Sequence, residues 1–118
     1  MKPMSIRPVR LAHAWIAAFA VVVMSGVAHA GDPTAGKKHY VSICAGCHGI
    51  DGIPSLRYAP SFAHGERLDQ DDAALIVSVR DGIFFMPPWG GYLTEAQIAD
   101  AIAYARTLRK PETPPPSR

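Results

Sequence analysis

The chain has 118 residues, with 12 Lys and Arg, 10 Asp and Glu and two cysteines, enough for one small domain. Its formal net charge of +2 does not point to nucleic acid or an acidic substrate, because the excess sits at the N-terminus. Lys2, Arg7 and Arg10 take three of the twelve basic residues and none of the ten acids, which leaves nine against ten, a net charge of −1, for residues 31–118.

The first element in chain order reads as an export leader. Those three basic residues precede an almost wholly apolar run over 11–27, and Ala28-His29-Ala30 puts small residues at −3 and −1 of a cleavage site after Ala30. An uncleaved anchor is the competing reading. The 17-residue run contains His13 and falls short of the ~20 residues that span a bilayer. Cleavage leaves 88 residues in the periplasm with no stable membrane insertion. The chain thus divides into a signal peptide over 1–30, a domain over 31–110 and a disordered Pro-rich tail over 111–118. A domain this size is near the lower limit for stability from its own core, so a disulfide or cofactor is expected.

Three helices come next. Asp32 and Pro33 supply a cap and a first helical residue for a helix over 34–46. Gly36, Tyr40, Val41 and Cys44 recur there at helical spacing. Residues 49–68 carry Gly49, Asp51-Gly52, Pro54, Pro60 and Gly65 and read as irregular chain, a long loop that needs a packing partner. A second helix is predicted over 69–81, with acids in its first turn, Leu75, Ile76 and Val79 on its apolar face and Gly82 as its stop. Residues 83–92 contain two prolines and two glycines and form a second loop. Residues 94–109 make the third helix, with Thr94 and Gln97 as a capping box and Leu93 and Ile98 as a hydrophobic staple. Ile98, Ala101, Ile102, Ala105 and Leu108 form its buried stripe, and Arg106, Arg109 and Lys110 suit the dipole at its end. No stretch alternates long enough for a strand, so the fold class is all-α.

The chemistry lies in Cys44-Ala45-Gly46-Cys47-His48. Two cysteines separated by two residues and followed by histidine are the attachment pattern of a c-type haem. A dithiol redox site needs a βαβ setting, and structural zinc needs four ligands; the chain offers neither. A Cys44–Cys47 bridge would close a tiny loop and stabilise little. His48 is placed to ligate the iron. Met86, the sole methionine after residue 30, precedes Pro87-Pro88, which keep the backbone extended, and is the candidate second ligand. His39 and His64 are the competing second ligands. A ligating histidine donates its other ring N–H to an acceptor; Pro60, twelve residues on, either supplies that carbonyl or only shapes its loop. Arg57, Tyr58 and Trp89 carry donors for haem propionates. The remaining aromatics, Phe62, Phe84, Phe85 and Tyr92, read as packing around the cofactor.

With these residues in place, 34–108 resembles the class I mono-haem c-type cytochromes of the small soluble bacterial type. Gly36 and Tyr40, Cys44 to Gly49, Asp51-Gly52, Ala59-Pro60, Val79-Arg80-Asp81-Gly82, Met86-Pro87, Leu93-Thr94 and Tyr104 stand in that family's order. The resemblance implies three main helices around one covalent haem, with the first and last crossing at Gly36. It also implies that Pro60 accepts from the haem histidine. Ile53-Pro54, where relatives often have glycine, and Trp89, where a smaller aromatic is common, depart from the pattern. The stretches 59–63 and 86–89 also look like small cytochromes of denitrification systems linked to nitrite reductase.

The implied activity is periplasmic electron carriage by a monomer. Its donor is a dehydrogenase or quinol-oxidising complex and its acceptor a reductase or oxidase. Two alternatives remain open on the sequence. One is a haem enzyme or gas sensor with a labile Met86 and His64 above the iron; the other is an accessory role in maturing a redox enzyme.

Overall fold

The computed structural model describes residues 1, 2, 4 and 30–112; the predicted signal peptide core and residues 113–118 of the predicted Pro-rich tail lie outside the described residues. Four α-helices lie in that span: α1 Pro33–His39, α2 Ala45–His48, α3 Asp72–Asp81 and α4 Glu95–Thr107. Among the described residues the only bridge pairing outside helices is Ile83 with Met86, so the fold is all-α.

α1 starts where a carboxylate meets a proline. Asp32 accepts from the Thr34 N–H and Pro33 fills the first turn. The helical run then continues without a break into α2 through a π-helical turn, Tyr40–Cys44, in which the Ala45 N–H reaches back to the Tyr40 carbonyl. A π turn contains one residue more than an α turn and shifts the phase of the residues after it. Tyr40 is buried at 1 % exposure while Val41, predicted on the same face, is 42 % exposed. Ile43 packs inward instead, against Leu93, Ile98 and Ile102. α2 ends at Gly49, whose φ of +82° only glycine adopts without strain.

α4 is the frame for everything else. The Thr94–Gln97 capping box is complete on both sides, and Ile98, Ala101, Ile102 and Ala105 are buried. One side packs on Tyr40 and Leu68; the other packs on Leu93 with Leu75, Ile76 and Val79 of α3 around it. α1 crosses α4 at Gly36, where a Cβ would sit 1.8 Å from the Asp100 carbonyl oxygen. Such a contact is possible only with no side chain on Gly36.

α3 begins three residues later than its acidic run suggests. Asp71 is the cap, accepting from the Ala74 N–H at 2.8 Å. Asp69 is drawn away to Arg109 at 2.8 Å, and Arg106 grips Asp72 and the carbonyls of Leu68 and Gln70. The cations at the end of α4 therefore do more than oppose its dipole. They tie the segment before α3 to α4.

Gly36→Ala should lower the stability of the folded protein. Alanine is worth about 1 kcal/mol more than glycine in a helix interior, but the overlap with the Asp100 carbonyl forces the helices apart at a cost of about 3 kcal/mol. The net expectation is a loss of about 2 kcal/mol, or a fall in Tm of about 10 °C, read by thermal unfolding.

Candidate haem site

The thiols and imidazole of the motif come from one helix end. Cys44 closes the π turn, and Cys47 and His48 are in α2. All three line one cavity, and both cysteines are free. Burial, with a smaller contribution from nearby Cys47, pushes the Cys44 thiol up to about 11.

His48 is buried at 6 % exposure. Its Nδ1 lies 3.2 Å from the Pro60 carbonyl oxygen. A carbonyl can only accept, so Nδ1 carries the proton and Nε2 is left with its lone pair. Burial lowers the His48 pKa, with the Pro60 contact opposing that shift; the neutral ring is the form that binds a metal. Phe62 stacks on the imidazole, with ring centres 4.4 Å apart and planes 11° from parallel.

The other wall comes from α3 and the loop after it. Leu75 and Val79 line the cavity with Met86 and Trp89. Met86 is fixed through its backbone. Its N–H donates to the Ile83 carbonyl at 2.9 Å, and the Ile83 N–H donates back at 3.1 Å. Phe84 lies inside this closed turn at φ +52°. The Trp89 and Gly90 N–H groups donate to the carbonyls of Val79 and Arg80, both at 3.0 Å, so the loop docks on the end of α3.

The structure therefore brings Cys44, Cys47, His48, Tyr58, Pro60, Met86 and Trp89 to one cavity. Arg57 is not among its lining residues. It faces a shallow neighbouring depression with Glu66 and Arg67, because the turn at 56–59 carries it outward. His39 and His64 line neither. Sequence reasoning missed Arg67 and Gln70 in the wall and did not foresee the stacking role of Phe62. Only the step of two residues from Pro60 to Phe62, which puts an aromatic on the same side of an extended segment, hinted at it.

A mostly apolar cavity holding two free thiols, a neutral imidazole with a bare Nε2 and a thioether is the donor set a covalent haem requires. Comparison with known proteins agrees. The family model described as cytochrome c oxidase, cbb3-type, subunit III matches residues 31–104. The chain belongs to this family of c-type cytochromes. It is 36 % identical over 93 residues to cytochrome c-555 of Chlorobaculum tepidum, which covers 72 % of this chain and 84 % of the relative. Among solved structures, the KustC0563 c-type cytochrome superposes with a TM-score of 0.58 at 28 % identity, over 64 % of this chain and 98 % of that one. Cytochrome c6 of the diatom Phaeodactylum tricornutum gives 0.55 at 30 % identity, over 65 % and 93 %. This is a small mono-haem cytochrome of class I fold, with one haem c held covalently through Cys44 and Cys47, and its function is electron transfer.

Phe62→Ala should cost the holoprotein about 2 kcal/mol, below the 3–5 kcal/mol typical of a fully buried phenylalanine, because Phe62 is only half-buried. Denaturant unfolding followed in the haem absorption band checks this.

Proposed function

We propose that this cytochrome is an exported, monomeric one-electron carrier of the periplasm, with His48 and Met86 as its two axial ligands, and not an enzyme. The observation that carries the reading is that these two side chains, 38 residues apart, line one cavity. Each is held by backbone hydrogen bonds before any metal is considered. When bound, the haem supplies a reversible Fe(III)/Fe(II) couple. Pro60 holds the His48 proton on Nδ1, which leaves Nε2 for the iron. A thioether from Met86 favours the reduced state relative to a second imidazole. Leu75, Val79, Phe62 and Ile102 keep water from the cavity.

The rim carries exposed aromatics. Phe84, Phe85 and Tyr58 are exposed, and the rings of Tyr58 and Phe85 lie 5.1 Å apart. With a near-neutral charge over 31–118, docking to a redox partner rests largely on apolar contact and depends weakly on salt. The donor is a dehydrogenase or quinol-oxidising complex. The acceptor is a terminal oxidase or a reductase such as a nitrite reductase. The N-terminal leader pattern supports export, and among the described residues no helix is long and apolar enough to cross a membrane. A gas-binding or peroxidatic site needs a polar group over an open face. His64, the candidate for that part, is exposed and off the cavity wall, which favours the carrier.

Met86→Ala should abolish the weak near-infrared sulfur-to-iron band of the oxidised protein, lower the potential and admit carbon monoxide to the reduced protein. The unaltered reduced protein should bind carbon monoxide slowly and incompletely at neutral pH; rapid stoichiometric binding would overturn the six-coordinate carrier. Replacing both Cys44 and Cys47 by alanine should leave little stable holoprotein in the exported fraction, measured by haem staining against total protein.

A further inference from the structure

One peptide group in the long loop is held from both sides. Its carbonyl, belonging to Pro60, faces the His48 Nδ1 at 3.2 Å. Its N–H, belonging to Ser61, donates to the Glu66 Oε2 at 2.8 Å. The Glu66 N–H in turn donates to the Ser61 carbonyl at 3.0 Å, so residues 61 and 66 close a turn reciprocally. Ser61 is buried at 6 % exposure, and its hydroxyl reaches the Gly52 carbonyl at 3.3 Å. These contacts hold the peptide in place. Carboxylate, peptide and imidazole thus stand in one line of hydrogen bonds.

The geometry points to Glu66 as a positioning and tuning residue for the haem histidine, acting through the Pro60–Ser61 peptide. This rests on the reading of His48 as an iron ligand. A charged acceptor makes a stronger bond to an N–H than a neutral one does. Drawing the Ser61 N–H toward the carboxylate polarises the peptide and puts more negative charge on the Pro60 oxygen, because hydrogen bonds in a chain reinforce one another. A better acceptor at Nδ1 raises the basicity of Nε2. A more basic imidazole stabilises the oxidised iron over the reduced one. Glu66 therefore lowers the potential that Met86 raises. Nothing in this needs Glu66 to touch the cofactor. Arg57 and Arg67, which line the same depression, are the charged neighbours of that carboxylate.

Glu66→Gln tests this in the holoprotein, since an amide oxygen can keep the turn closed while losing the charge. The equilibrium constant for oxidation by a fixed one-electron reagent should fall about tenfold, the low end for a group behind a metal ligand; tenfold for one electron is 59 mV. A purely through-space charge effect fades at 1 M salt, where the screening length is about 3 Å, whereas a relay persists. In the reduced protein the His48 Nδ1 proton and the Ser61 amide proton should both move upfield. An oxidation constant that is unchanged at high salt, or an unmoved Nδ1 proton, overturns the proposal. Should the variant not fold, amide exchange in the unaltered holoprotein decides: slow exchange at Ser61 supports the bond to Glu66, and rapid exchange overturns it. Failure of the ligand assignment itself would show separately, as His48 ring protons in the reduced protein lacking the large ring-current shifts of an axial imidazole.

Discussion

The contact between His48 and the Pro60 carbonyl is where the two halves of this domain meet. On one side is a helix end, whose geometry is set by local backbone hydrogen bonds. On the other is a loop from 49 to 71 that has turns but no helix or strand of its own. A loop of that length loses much conformational entropy when ordered and stays ordered only if something outside it supplies contacts. His48 and Phe62 are one such pair. Ser55 is a second, its hydroxyl on the Gly46 carbonyl at 2.7 Å and its N–H on the Cys47 carbonyl at 3.1 Å. Each of these returns the loop to the helix that carries the thiols.

The far side of the loop is held by the last turn of α4 and the residues just after it. Arg109 reaches the Gly65 carbonyl at 3.0 Å, and the Lys110 N–H reaches the Ala63 carbonyl at 2.9 Å. Arg106 does the same one turn earlier for the chain entering α3. A third arginine anchors the other end of α3. Arg80 pairs with Asp81 at 2.8 Å and with Glu95 at 2.7 Å. Those two pairs raise the Arg80 pKa and lower that of Asp81, the hydrogen bonds between them being the main cause. They are exposed and add little to stability; their effect is to fix register. The cavity therefore has one wall set by the α1–α4 crossing and another set by arginines.

The features legible in the sequence are local ones. The capping box at Thr94, the stop at Gly82, the helix carrying Cys44 to His48 and the all-α class all depend on residues within a few positions of one another, and local rules suffice for them. The departures come from contacts distant in sequence. Asp69 could cap a helix on local grounds, but Arg109, forty residues away, removes it and Asp71 takes the role. Val41, expected on the buried helical face, lies exposed one residue after Tyr40 at the start of the π turn. Arg57 and Tyr58 are adjacent in the chain and share the neighbouring depression, yet only Tyr58 also reaches the cavity. The link from Glu66 to His48 was illegible because it runs through main-chain atoms, which every residue shares.

α3 has a consequence for how the protein is made. Among its residues none is fully buried by protein alone, and Leu75 and Val79 look into the cavity, whereas α4 buries five residues. The polypeptide's own cohesion is therefore lopsided, strong where α1 meets α4 and thin in the middle third. A helix of ten residues with so little to rest on is marginal in water. Before haem attachment the new chain should be a hinged clasp, its helix pair closed and its centre ajar. That leaves both thiols, which line the cavity, within reach of whatever delivers the cofactor.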